Sequence, residues 1–236
     1  MKILSLMTAF ILSATVAMSC TDSDDIKITE TRNVENFNRI NVSAPVTVIL
    51  VCGKEQSVKV SGKDHAVSKV ITEVVDGELN IKVDGHRVHI NRKTTVEVNV
   101  ESLTAIRASG ACALEMPVSA EFDNLELKIS GASDVNISEI EVKGLLNAQV
   151  SGASDLDIKC KVGKAEFTAS GASDVDIPHI ETDEIEVTAS GASDIDVRGR
   201  VNNIKVNASG ASEVNLRHLN FNSHDFNKSG ASDIDL

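Results

Sequence analysis

Two columns of oxygen-bearing side chains are the part of this sequence best equipped for chemistry. Asp134, Asp155, Asp174, Asp194, Glu213 and Asp233 recur at near-constant spacing, and a second set follows two residues behind: Asn136, Asp157, Asp176, Asp196, Asn215 and Asp235. If the residues between them form stacked coils, each column places its members roughly 5 Å apart, where like charges repel and raise each other's pKa. Something must offset that repulsion. One reading is calcium, because hard oxygen ligands in a row share that ion in nonapeptide-repeat β-rolls. The other is structural: the first column accepts hydrogen bonds from neighbouring serines and backbone amides, and the second lies in water and is screened. Calcium β-rolls use Gly-Gly-x-Gly-x-Asp, whereas the run here is Gly-Ala-Ser-Asp, which favours the structural reading and leaves calcium as the alternative cofactor.

Catalysis is a further candidate chemistry. A glycosidase needs two carboxylates in unlike environments, one with a raised pKa. Here the carboxylates recur by rote, so no residue is singled out as catalytic. The histidines, His65, His86, His89, His179, His218 and His224, form no nucleophile or metal constellation. His86 and His89, near Arg87 and Arg92, lie in the least repetitive stretch and read as exposed strand positions. With no Trp or Tyr, and with phenylalanines such as Phe167 at inward positions, sugar stacking has little to work with. A glycan or protein ligand would have to be held by polar ladders on a flat face.

The elements that position these columns are announced by a repeated phrase. Ser109-Gly110-Ala111-Cys112 is followed by Ser-Gly-Ala-Ser runs whose glycines are Gly131, Gly152, Gly171, Gly191, Gly210 and Gly230, at intervals of 21, 21, 19, 20, 19 and 20 residues. Such a period means that one unit stacks on copies of itself to bury a face it cannot bury alone. Residues two, four and six before the glycine are apolar in most copies (Ile129, Leu127, Leu125), as are those four and six after it (Val135, Ile137). Period-two alternation predicts a strand on each side, with the glycine at the corner between them. A third apolar position recurs at Val142, Val162, Ile180, Val201 and Leu219. The expected fold is all-β: a parallel β-solenoid with coils of about 20 residues, right-handed by the usual preference of parallel crossovers. A valine at Gly171 is expected to crowd the coils at both Gly152 and Gly191.

Ahead of the repeats the phrase is absent but strand signals persist. Val46, Val48 and Leu50 alternate, Asp76-Gly77 between Val70–Val75 and Glu78–Val83 predicts a hairpin, and Val88, Ile90, Val96, Val98 and Val100 resume the alternation. Ser43-Ala44-Pro45 and Ser61-Gly62-Lys63-Asp64 read as degenerate corners. Terminal repeats are usually atypical, so this half is expected to be a cap continuous with the rod.

The first 19 residues carry one positive charge, Lys2, then an apolar run from Ile3 to Val16 and small residues up to Cys20. That is a secretory leader, too short to span a membrane. Ala17-Met18-Ser19-Cys20 is similar to a loose lipobox, with Cys20 as the lipid-attachment residue; an ordinary small-x-small cleavage site is the alternative. The run Thr21-Asp22-Ser23-Asp24-Asp25 has the composition of a flexible tether. The net charge of −12 becomes −13 without Lys2, which excludes nucleic acid and anionic headgroups as favoured partners. Cys52, Cys112 and Cys160 are then an odd set without metal spacing, and Cys112 stands where other repeats have serine. The expected divisions are a leader (1–19), a lipidated tether (20–30), an N-terminal β region (31–108) and the regular solenoid (109–236).

The run from Asn38-Arg39-Ile40-Asn41-Val42 through Asp76-Gly77-Glu78-Leu79 to the serial Ser-Gly-Ala-Ser-Asp units resembles the head GIN-domain family of auto-transporter adhesins. The resemblance implies a secreted or lipid-anchored β-helical protein, often from Bacteroides-type bacteria, and the acidic tether is similar to export signals of their surface lipoproteins. The expectation is a non-enzymatic envelope module of binding or adhesion type. It would be held to the outer membrane through Cys20, at the cell surface or on the periplasmic face, with self-association through the open end of the solenoid as a further contact. A β-helix lyase or hydrolase and a calcium-binding adhesive rod are the alternatives.

Overall fold

The computed structural model describes residues 27–53, 55–85 and 92–236. The leader, Cys20, His86, Arg87, His89 and the strand positions Val88 and Ile90 lie outside them. The chain winds into a β-solenoid of about seven turns with three flat faces. Alternation sets which side chains enter: in Asp155–Ala169, for example, Leu156, Ile158, Cys160, Val162, Ala165, Phe167 and Ala169 are buried, and most residues between them are not.

In the regular section, β11 is Leu125–Ile129, and the long strands β12 (Asp134–Val150), β13 (Asp155–Ala169), β14 (Asp174–Ala189) and β15 (Asp194–Ala208) each turn through all three faces. Successive coils pair in parallel and in register, so that Val135 stacks on Leu156, and Leu156 on Val175. Register breaks between Ile137 and Ile140 and between Val142 and Leu145 mark two of the bends. The last coil is β16 (Glu213–Asn215), β17 (Leu219–Lys228) and β18 (Asp233–Asp235). The third face carries two inward columns where the sequence suggested one. Val142, Val162, Thr182 and Val201 form the first, and Ile140, Cys160, Ile180, Gly199 and Leu219 the second.

The N-terminal half joins the stack, but out of chain order. β2 (Arg39–Val42) and β3 (Thr47–Cys52) form one coil with Ser43-Ala44-Pro45 at its corner, and they pair in parallel with β8 (Ala105–Ala108) and β9 (Ala113–Met116). On their other side lie β6 (Glu78–Val83) and β7 (Thr95–Val100), which come later in the chain. The chain therefore lays down the second coil, returns to build the outermost one, and passes back over it. β5 (Val70–Val75) closes the first face as an antiparallel hairpin on β6, with Asp76 and Gly77 both at positive φ, the geometry Asp-Gly favours. β4 (Ser57–Lys63) extends the second face antiparallel to β7, and β1 (Lys27–Arg32) adds to it antiparallel to β4. Two sequence expectations are corrected here. Ser61-Gly62-Lys63-Asp64 is no corner but the end of β4 and the start of helix α1 (Asp64–Val67), whose Ala66 and Val67 are buried at this end of the core. Lys27–Glu30, expected in the tether, belong to β1, because their backbone finds partners along β4.

Candidate functional site

The corner between the first and second faces is built by backbone. Gly171 sits at φ +84, where other residues are strained, and a Cβ there would come within 2.7 Å of the Gly152 carbonyl oxygen. The closest contacts of an added side chain are thus with Gly152 and not with both neighbouring coils, since each corner glycine's Cβ would point toward the preceding coil. The amide of Ala172 donates to the oxygen of Gly152, and that of Asp174 to the oxygen of Ser154. The serine after each Gly-Ala is turned inward. Ser133, Ser154, Ser173, Ser193 and Ser212 are at most 2% exposed, and Ser173 Oγ donates to Ser170 O at 3.0 Å. These hydroxyls serve carbonyls rather than carboxylates, so the expected serine-to-aspartate bonds are absent among the described residues. Cys112 fills the same buried column, with its Sγ 3.5 Å from Ser133 Oγ. Burial raises the Cys112 and Cys52 thiol pKa values and pushes that of Cys160 up to about 12; all three are free thiols and poor nucleophiles.

The register stacks the two acidic columns as their spacing implies. Asp134, Asp155, Asp174, Asp194, Glu213 and Asp233 are consecutive partners, as are Asn136, Asp157, Asp176, Asp196, Asn215 and Asp235. Their exposures are the reverse of those expected. The first column is exposed, whereas Asp157, Asp176, Asp196, Asn215 and Asp235 are half-buried, being set back on the strand from the protruding corner. The second column carries its own cations: Arg198 forks onto Asp196 at 2.8 and 3.1 Å and lies 4.0 Å from Asp176, and Arg217 reaches Asp235 at 2.8 Å. Desolvation, and then the charges of Asp155, Asp194 and Asp176, raise the pKa of Asp174. Asp176 is raised by desolvation, partly countered by Arg198.

Ion pairs on the first column occur at its two ends. Lys228 pairs with Asp233, and Arg92 reaches Asp134 at 3.4 Å; among the described residues no basic side chain pairs with Asp155, Asp174, Asp194 or Glu213. Arg92 does more than neutralise. Its Nε donates to Ala111 O at 3.1 Å, and its Nη2 to Cys112 O at 3.3 Å and Ala132 O at 3.2 Å. Nothing in the sequence marked it, because its partners are carbonyls that carry no residue signal. A second corner, between the third and first faces, also went unread. Gly144 and Gly163 are one period apart, and a Cβ on either would collide with backbone of the preceding coil. Gly199 likewise leaves no room for a side chain over Ile180.

The columns run side by side without converging, and among the described residues no group of three or more His, Cys, Asp or Glu side chains is placed to hold a metal. The four described histidines are dispersed. His65 is in α1, His179 lies 3.9 Å from Glu181, His218 is in a turn, and His224 stacks on Phe226 in the last coil.

Comparison with known proteins fits this architecture. The family described as putative auto-transporter adhesin, head GIN domain, matches residues 36–198 and, in an overlapping second stretch, 172–236, and the chain belongs to that family. Its fold is similar to that of a putative adhesin from Bacteroides fragilis (TM-score 0.78, 19% identity, covering 89% of this chain and 96% of that one). It is likewise similar to a putative adhesin from Parabacteroides distasonis (0.74, 19%, 90% and 98%). A putative lipid binding protein from the same organism shares the fold more distantly (0.61, 13%, 89% and 96%). No curated protein matches.

Proposed function

We propose that this chain is a non-enzymatic lipoprotein of the cell envelope, anchored through Cys20 to the outer membrane, that binds a protein or glycan through the flat outer surface of its solenoid. The observation that carries the reading is the register itself. The outward columns run in register from coil to coil, two of them acidic and others mixed in charge (Glu141, Lys161, Glu181 and Arg200, for example), giving an extended polar surface rather than one privileged pair of groups. Asp174 and Asp176 have raised pKa values, but both move in the same direction, chiefly by desolvation, so they are not an acid and a base held apart. Membership of a family described as putative adhesins supports the same reading.

The test is a binding screen of the purified chain without residues 1–19 against immobilised glycans and envelope proteins, run beside product-release assays on acidic and neutral polysaccharides. Saturable binding without product is expected; turnover of any polysaccharide sinks the proposal in favour of a β-helix lyase or hydrolase. In cells, Cys20→Ala is expected to move the protein out of the membrane fraction. Retention of the variant there would disprove the lipid anchor.

A further inference from the structure

We infer that the corner beside the first acidic column is a receptor for arginine side chains of a basic protein segment, and that Arg92 fills the first of its sites from within the chain. This rests on the binding-module reading and names the class of its partner. The occupied site shows what the corner accepts. One guanidinium spans two consecutive coils, taking the carbonyls of Ala111 and Cys112 in one and of Ala132 in the next, with the carboxylate of Asp134 alongside. Three of the four acceptors are main chain, so the site belongs to the fold and returns wherever the fold does. The corner glycines hold nearly constant φ (+80 at Gly131, +84 at Gly152 and Gly171), and the amides of Asp134, Asp155 and Asp174 donate to the preceding coil in the same way.

The same acceptor set therefore recurs as Ala153, Ser154, Ala172 and Asp174, and again as Ala192, Ser193, Ala211 and Glu213. Among the described residues no donor meets the carbonyls of Ala153, Ala172, Ala192 or Ala211. The pKa of Asp174 is raised chiefly by desolvation and then by the charges of Asp155, Asp194 and Asp176, and a bound guanidinium would relieve that second cause. Lysine would not substitute well, since a point charge lacks the planar fork that bridges two coils.

The geometry also sets the spacing of the ligand. Successive sites are two coils apart, about 9.6 Å at the usual inter-strand distance. A polyproline II segment rises about 3.1 Å per residue with three residues per turn, so every third side chain lies on one edge at roughly 9.3 Å. Arginine at every third position of such a segment would match the open sites in both distance and direction, and the chain's net charge of −12 would steer it there.

The experiment is fluorescence anisotropy with a labelled peptide of three Arg-Pro-Pro triplets. It is compared with the Lys-Pro-Pro peptide and with an isomer whose arginines are adjacent. Saturable binding is expected, about tenfold tighter for the Arg-Pro-Pro peptide than for either control. Asp155→Asn, Asp174→Asn, Asp194→Asn and Glu213→Gln together should abolish that preference without lowering Tm, which a merely structural role would not predict. Arg92→Ala should open a third site and tighten the three-arginine peptide. Equal binding of all three peptides would reduce the effect to net charge and overturn the inference. So would absence of peptide binding combined with a calcium-induced rise in Tm that the combined variant loses, which would give the columns to metal. Either failure leaves the binding-module reading standing, whereas polysaccharide turnover would remove that reading whatever the peptides do.

Discussion

The regular coils and the N-terminal half build the same three-faced stack by different means. In the coils each residue lies over its own counterpart one period away, so Gly171 packs on Gly152 and Asp174 on Asp155. In the N-terminal half no counterpart exists. Arg39 pairs with Ala105 and Glu78 on its two sides, Ser43-Ala44-Pro45 replaces the glycine corner, and antiparallel strands finish two of the faces. A periodic stack constrains every position by its copy, and the tightest positions bear the whole constraint. An aperiodic one spreads the constraint over unlike partners and can end.

The largest effect that sharpens this contrast is at glycine. Gly171→Val puts a β-branched side chain at positive φ and against the Gly152 carbonyl, with backbone on both sides of the clash. We expect a loss of about 4 kcal/mol or more, roughly 10 °C in Tm for a chain of this size. Gly53→Val, in the N-terminal half, meets nothing within 4 Å and should stay within about 0.5 kcal/mol of wild type. Equal Tm values for the two variants would show that the periodic corner is not where the stack is tight.

A second contrast lies along the stack. Phe167 is 1% exposed and sits over Ala148, so that one large and one small side chain share a column position. Phe167→Ala leaves a cavity that flat, hydrogen-bonded coils cannot close, and should cost about 3–5 kcal/mol. Phe226 occupies the same column in the last coil but is only half-buried, against Phe221 and His224. Phe226→Ala should cost about 1 kcal/mol. Comparable losses, read from urea midpoints, would mean that the last coil is as well covered as the middle.

How far the sequence could be read follows the same division. The coils, their inward residues and the stacking of both acidic columns were legible because a period of about 20 turns a three-dimensional register into a one-dimensional spacing. The Asp76-Gly77 hairpin was legible because two residues in sequence are two residues in space. The return of β6 and β7 to the outside of β2 and β3 was not, since parallel pairing across forty residues leaves no local mark. At the corner, sequence named the glycines but misjudged the serines. A hydroxyl beside a carboxylate in the chain suggests a bond, whereas the bend aims it inward to the carbonyl three residues back. Arg92 stayed hidden because its role is defined by carbonyls, which every residue has.

The smallest effect tests the acidic columns against that background. Asp174 has a pKa raised above 3.8, chiefly by desolvation and then by the charges of Asp155, Asp194 and Asp176. A carboxyl whose folded pKa exceeds its unfolded value binds its proton more tightly in the folded state. Its favourable contribution is therefore complete below about pH 3.8 and is lost as pH rises through the folded value. At neutral pH the charged group thus opposes folding, weakly because the side chain is exposed to solvent. Asp174→Asn removes the charge and keeps the shape. We expect its Tm to exceed wild type by about 1 °C at pH 7 and low salt, and the gap to close both toward acid pH and as salt screens the column. Asp233, paired with Lys228 at the end of the same column, gives the opposite sign, since its carboxyl is held below 3.8 by the hydrogen bond from Lys228, then by that from the Ile234 amide and by the Lys228 charge. Lys228→Met should therefore lower Tm slightly at pH 7 and have no effect below the unfolded carboxyl range. If Asp174→Asn also lowered Tm at pH 7, the column would be held by attraction, with a bound cation already in place.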